Sequence, residues 1–268
     1  MASAPTTISS HPKYSVLGVP LRALQIPDLI KQMQEWIENR EQGRCLSFAN
    51  VHMVMEAQHD KAFGSGLAAK YVLNVPDGMP LVWVGRSLGF DLKRRVSGPD
   101  LMYDFCAKTA DKGYRHFFYG GAAGVPEEIA ANMARDIGGI NVVGAYSPPF
   151  RPLSAKEDEQ IVEMINAAKP DILWIGLGCP KQEKWAFAHR ERLNVPILAS
   201  VGQAFDIHAE RVKQAPDWMR DNGLEWLYRL ANNPRRLWRR YLVYSSQFFL
   251  FLALERMKMR PTVKTSAL

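Results

Sequence analysis

The chain has 268 residues, 47% of them hydrophobic, with 34 Lys+Arg against 27 Asp+Glu and a net charge of +7. That length and apolar content bury one large core, or a core with a smaller appendage, and exclude disorder for most of the chain. Three cysteines, Cys45, Cys106 and Cys179, are odd in number, widely spaced and without a CxxC pair, which argues against a disulfide framework or a zinc site and for a cytosolic protein.

Residues 1–13 are rich in Ala, Ser, Thr and Pro and have neither a basic start nor an apolar stretch, so they read as a flexible leader and not a secretory signal. Six strand-like apolar runs follow: Arg44 to Phe48, Tyr71 to Val75, His116 to Tyr119, Ile140 to Ala145, Asp171 to Gly176 and Ile197 to Val201. Helical stretches lie between nearly all of them. Runs apolar on both faces and separated by helices predict a mostly parallel sheet covered on both sides, an α/β Rossmann-like domain over 14–210. Helix punctuation agrees: Pro27 opens the first helix, Ser154 and Glu157 form a capping-box pattern, and Gly43, Gly113 and Gly138 stand where helices should stop. After about Arg211 the pattern is helical only, so 211–268 reads as a small helical appendage, with its boundary between Asp206 and Pro216. There is no internal repeat and no low-complexity tract.

The charge divides at the same place. Residues 211–268 hold 12 Lys+Arg against 4 Asp+Glu, a surplus of +8, leaving 22 basic and 23 acidic residues before them. A terminal segment that carries the whole positive surplus is suited to meet something anionic: nucleic acid, acidic lipid or a phosphorylated ligand.

In a parallel sheet the ligand sits at the carboxyl ends of the strands. The segment Asn74-Val75-Pro76-Asp77-Gly78-Met79-Pro80 ends an apolar run with one carboxylate between a Pro and a Gly. Such a turn fixes the chain sharply, and burial at a strand end raises a carboxyl pKa, which suits Asp77 to be a general base. The other reading, an Asp that caps the helix beginning near Pro80, stays open on this segment alone. Further candidates follow the other strands: Asn50-Val51-His52; the glycine turn with Gly120 and Gly121, running to Gly124; the stretch from Gly176 to Lys184 with Gly178, Lys181 and Gln182; and Gly202 to Asp206 with Gln203. Backbone N–H groups at a helix start bind phosphate, although glycines at strand-to-helix turns are as readily structural, and the spacing is neither Walker A nor GxGxxG. Pro180 fits a first helical turn, beside which Lys181, Gln182 and Lys184 offer donors; a solvated helix face is the plainer alternative. The histidines show no ligand spacing and no strand ends in a DxD pair, so the site is read as metal-free and without a cofactor. No GxSxG elbow is present and Cys179 lacks a His partner, which disfavours covalent catalysis.

In the tail, Arg235, Arg236, Arg239 and Arg240 recur at helical spacing with Leu237, Trp238, Tyr241 and Leu242 between them. The most apolar part, Tyr241 to Leu254, is shorter than the roughly 20 residues that span a bilayer and is interrupted by Ser245, Ser246 and Gln247. Arginines with Trp, Phe and Leu are the composition of an interfacial helix lying on an anionic membrane. An RNA-binding helix is disfavoured by the apolar stretch Phe248 to Leu254; a dimer-packing helix, and with it a homo-oligomer, stays open.

Assembled, these segments resemble the WecG/TagA/CpsF family of glycosyltransferases from about Tyr14 to Tyr241. The resemblance rests on NVPDGMPLVW at 74–83, RVSGPDLM at 95–102, GLGCPKQEKW at 176–185, VGQAFD at 201–206 and GLEWLYRLANNPRR at 223–236. It implies an inverting transfer of a sugar from a UDP-sugar donor to a sugar on a polyprenyl diphosphate carrier, by a protein peripheral on the cytoplasmic face of the membrane. It also implies Asp77 as the base, Arg95 and Gln182 as polar residues of the site, and a basic appendage, including Arg229 and the Arg pairs, that contacts the membrane and completes the active site. Many members carry a Thr two residues before the Asn that matches Asn50; here Phe48 stands there, which puts that sugar contact in doubt. The stretch Phe48 to Ala57 is similar to members working on exopolysaccharide repeat units, implying β-1,4-glucosyl transfer, with N-acetylmannosaminyl transfer as the alternative.

Two other classes compete: a nucleotide-dependent oxidoreductase on the same sheet, disfavoured because no acidic residue follows a GxGxxG by about 20 positions, and a non-enzymatic membrane-tethered nucleotide-binding module.

Overall fold

A computed structural model describes residues 11–257, apart from the side chain of Arg236. In chain order the elements are β1 (Lys13–Val16), β2 (Val19–Arg22), α1 (Ile26–Glu38), β3 (Arg44–Ala49), α2 (Val51–His59), α3 (Lys61–Leu67), β4 (Val72–Pro76), α4 (Met79–Ser87), α5 (Gly98–Lys108), β5 (Arg115–Gly120), α6 (Val125–Ile137), β6 (Asn141–Tyr146), α7 (Ala155–Ala168), β7 (Ile172–Gly176), α8 (Lys181–His189), β8 (Ile197–Ser200), α9 (Ala204–His208), α10 (Asp217–Asp221), α11 (Glu225–Asn232), α12 (Pro234–Trp238) and α13 (Tyr244–Arg256). A π-helical turn, Arg239–Val243, joins the last two helices.

All six expected strands form, within a residue or two at each end, as one sheet in the order β4-β3-β8-β7-β5-β6. The pairs β3/β8, β8/β7, β7/β5 and β5/β6 are parallel. This is the α/β, Rossmann-like architecture. β7 and β8 are buried almost throughout, as expected of strands covered by helices on both faces. The Ser154 capping box is present in full, with its Oγ accepting from Glu157 N–H and the Glu157 carboxylate accepting from Ser154 N–H.

The chain separates into two compact units: Ile26–Ser47 with Ser97–Lys213, and residues 11–25 with Phe48–Val96 and 214–257. Residues 214–257 share a unit with 48–96.

The first unit holds β5 to β8 and most of β3. Its core includes Phe117, Phe118, Trp174, Ile175 and Leu198, all essentially buried. His116 lies among them. The indole Nε1–H of Trp174 donates to its Nδ1 at 3.1 Å, and since an indole nitrogen is a donor only, His116 is neutral with its proton on Nε2. Desolvation holds its pKa down at about 4.

The second unit contains an antiparallel hairpin that the sequence reading missed. β1 and β2 pair from Lys13↔Arg22 to Val16↔Val19, joined by Leu17 and Gly18 at φ +49° and +83°, the two left-handed residues of a tight hairpin turn. Lys13 therefore belongs to a strand; residues 1–10 of the expected leader lie outside the described residues. The C-terminal helices are fastened to the 48–96 segment by an Arg94–Asp221 ion pair at 2.5 Å, by Tyr244 OH donating to Glu56 at 3.1 Å and by Arg256 donating to Ser87 Oγ at 2.9 Å. Phe248 of α13 is fully buried, whereas Phe249 and Leu250 are exposed. Among the described residues, no helix is long and apolar enough to cross a membrane.

Candidate functional site

The second unit contains a cavity of about 120 Å³ at the carboxyl ends of β3 and β4. Asn50 follows β3 and caps α2, its Oδ1 accepting from Met53 N–H at 3.2 Å. Asp77 follows β4, and the N–H groups of Asp77 and Gly78 both donate to Ala49 O, at 2.8 and 3.1 Å. Gly78 eases this approach: a Cβ there would stand 3.2 Å from Asn50 Cα, so that neighbour would have to shift by a few tenths of an ångström. The residue at the N-cap of α4 is Gly78 and not Asp77.

Arg95 is drawn in by its neighbour, Val96 N–H donating to Pro76 O at 2.8 Å. Its Nη1 meets Asp77 Oδ1 at 2.8 Å and Asp77 O at 3.3 Å, and its Nη2 meets Glu225 Oε2 at 2.5 Å. Arg229, one helical turn further along α11, approaches Glu225 Oε1 at 3.7 Å. The Asp77 side chain is 21% exposed and that of Arg95 14%. The carboxylate is thus held by a guanidinium at the edge of a cavity, a more polar setting than burial at a strand end suggested.

Arg220 and Arg240 line the same cavity with Trp226, Tyr241 and Ser245. Four arginines, Arg95, Arg220, Arg229 and Arg240, therefore face it with two carboxylates, Asp77 and Glu225. Arg229 Nε is buried with no hydrogen-bond partner among the described residues. His52, also in the lining, stacks on Tyr244 at 5.5 Å between ring centres. Asn50, Asp77, Arg95 and Arg229, all named from sequence, converge here. Glu225 and Arg220 were not singled out, and Tyr241 was placed only in the apolar tail.

The tail arginines divide. Arg235 and Arg239 are exposed, Trp238 is 47% exposed, and Arg240 lines the cavity. Phe48, at the position of the family's Thr, is buried in β3.

The remaining named residues belong to the first unit, at the carboxyl ends of β5, β7 and β8. Gly121 N–H donates to Gly176 O at 2.9 Å, so this group is already used within the fold. A Cβ at Gly120 would come within 2.6 Å of the Gly176 carbonyl carbon, which makes close strand packing the visible reason for glycine there. Gln182 is 4% exposed; its Oε1 accepts from Gly178 N–H at 3.0 Å, and its Nε2 donates to Glu183 Oε1 at 2.8 Å and Ser200 O at 2.9 Å. The side chain of Gln182 therefore shapes the loop after β7. Lys181 is exposed at the start of α8, and Gln203 is half-buried at the start of α9. Cys45 and Cys106 are buried in this unit, and burial pushes the Cys45 thiol up to about 12, far from a reactive thiolate. No group of three His, Cys, Asp or Glu side chains gathers as a metal site among the described residues.

The profile of the glycosyl transferase WecG/TagA/CpsF family matches residues 14–262. Similar curated proteins include N-acetylglucosaminyldiphosphoundecaprenol N-acetyl-beta-D-mannosaminyltransferases of Bacillus spizizenii, 30% identical over 88% of this chain and 90% of that protein, and of Bacillus subtilis, 26% identical over 85% and 86%. The Staphylococcus aureus protein of that name is 28% identical over 86% and 89%. A match over this much of the chain, on a fold of the expected class, shows that the chain belongs to the WecG/TagA/CpsF family and is a glycosyltransferase.

Proposed function

We propose that the protein transfers an N-acetylmannosaminyl-type sugar from a UDP-sugar to a sugar carried on a polyprenyl diphosphate, with inversion and without a metal. The donor sugar and acceptor follow the names of the relatives; the glucosyl transfer expected first from sequence draws no support from them, and its stated alternative does. The observation that carries the mechanism is the Asp77 carboxylate at the cavity, oriented by Arg95 at 2.8 Å.

In the reaction an acceptor hydroxyl oxygen bonds to the anomeric carbon as the bond from that carbon to the diphosphate oxygen breaks. The hydroxyl proton passes to Asp77 and the electron pair leaves with UDP. Attack opposite an α-linked diphosphate gives a β-glycoside, in keeping with the β-configuration in the relatives' names. The arginines around the cavity supply positive charge toward phosphate oxygens, and Arg229 Nε is a buried donor without an acceptor among the described residues.

The exposed Trp238, Phe249 and Leu250, together with Arg235 and Arg239, support a peripheral position on an anionic membrane surface, proposed as the cytoplasmic face. No role for nucleic acid is proposed.

The test is UDP release from purified protein given UDP-N-acetylmannosamine, UDP-glucose or other UDP-sugars, with a short-chain lipid diphosphate N-acetylglucosamine acceptor and EDTA throughout. Acceptor-dependent release from UDP-N-acetylmannosamine is expected. Release from UDP-glucose alone would restore glucosyl transfer, and activity lost to EDTA and restored by a divalent cation would overturn the metal-free mechanism.

A further inference from the structure

We propose that Glu225 is a positioning residue of the reaction, holding Arg95 so that its guanidinium orients the Asp77 carboxylate; this rests on the reading of Asp77 as the base. Arg95 spans two carboxylates, with Nη1 on Asp77 at 2.8 Å and Nη2 on Glu225 at 2.5 Å. A guanidinium presents its donors in a rigid plane, so fixing one side fixes the direction of the other. Glu225 is itself placed by two features. It occupies the first turn of α11, where the helix dipole favours a carboxylate, and Arg229 flanks its second oxygen at 3.7 Å.

The division of labour has a chemical reason. With Glu225 as a second anion, Arg95 is anchored independently of the group that must gain and lose a proton. When Asp77 becomes neutral in the reaction its attraction for Arg95 weakens, while the 2.5 Å pair with Glu225 keeps the guanidinium in place for the returning carboxylate. Without that anchor Arg95 has Asp77 as its one partner in this chain of contacts, and the carboxylate loses its fixed orientation toward the acceptor. Misplacement of a reacting group by about 1 Å costs on the order of 10² in rate.

Glu225→Gln keeps the size of the side chain and removes its charge, and Glu225→Asp keeps the charge on a shorter stem. The experiment measures kcat, KM for the UDP-sugar and thermal unfolding for the wild type, both variants and Asp77→Asn. Glu225→Gln is expected to lower kcat about tenfold or more with KM for the donor within about twofold and the melting curve retained, and Glu225→Asp to recover part of the loss. If Asp77→Asn is crippled while folded Glu225→Gln turns over at the wild-type rate, the positioning role is wrong and the base assignment stands. If Asp77→Asn itself turns over normally, the assignment beneath both has failed. A Glu225→Gln that does not fold, with a folded Glu225→Asp showing raised KM and unchanged kcat, would make Glu225 a structural or donor-binding group and also overturn the role.

Discussion

The amide of Gln182 makes three hydrogen bonds from a nearly closed position, joining Gly178 N–H, the Glu183 carboxylate and Ser200 O. Gln182→Ala removes the partner of the carbonyl of the buried Ser200, at a cost of about 1–3 kcal/mol when left unsatisfied, and frees the Gly178 N–H. The variant should unfold at lower urea concentration, by about 2 kcal/mol or more, and lose activity as the loop after β7 loosens. An unchanged urea midpoint with activity abolished would instead make Gln182 a direct substrate contact. At this scale Asp77, Asn50, Arg95 and Arg229 were legible in sequence, the first two because strand ends followed by Pro, Gly or a cap residue are marked locally, the others through the family motifs. Arg220 and Tyr241 carry no such local mark, and Glu225, although inside the motif at 223–236, was not singled out within it. They are ordinary helix residues whose function depends on which face of a C-terminal helix meets the 48–96 segment, and that is decided by tertiary packing such as the Arg94–Asp221 and Tyr244–Glu56 pairs.

Among the elements, β5 and β7 show how a polar residue is accommodated inside a doubly covered sheet. His116 is neutral because burial disfavours its charged form, and its Nδ1 is satisfied by the Trp174 indole N–H. A histidine of pKa about 4 in the folded chain, against about 6.5 unfolded, binds fewer protons folded than unfolded between those values. Stability from this group is therefore fully present above about pH 6.5, and falls as pH drops toward 4. The loss over that window is on the order of 3 kcal/mol. NMR titration of the imidazole should find it neutral at pH 5 in folded protein; an imidazolium signal at pH 6 would contradict the burial argument. The long apolar strands were legible because buried runs bounded by Gly and Pro have few other interpretations. The β1–β2 hairpin was not, since its strands have four residues each, one holds a proline, and its turn is Leu-Gly and not the Asn-Gly or Asp-Gly that marks such loops most clearly.

For the molecule as a whole, the basic C-terminal segment has two proposed tasks that its composition alone does not separate. Arg220, Arg229 and Arg240 contribute to the cavity, while Arg235, Arg239 and Trp238 are exposed to solvent. The charge surplus thus serves both the proposed diphosphate chemistry and the proposed membrane surface, and the segment is part of a compact unit with 48–96 and the N-terminal hairpin. Asp77, held by Arg95, is proposed to remove the proton from the acceptor hydroxyl. Single-turnover sugar transfer by Asp77→Asn tests it most directly, with donor and acceptor saturating and folding checked by its melting curve. The expected rate is lowered by about 10² to 10⁴ with the donor still bound; a folded variant that transfers sugar at the wild-type rate would rule Asp77 out as the base.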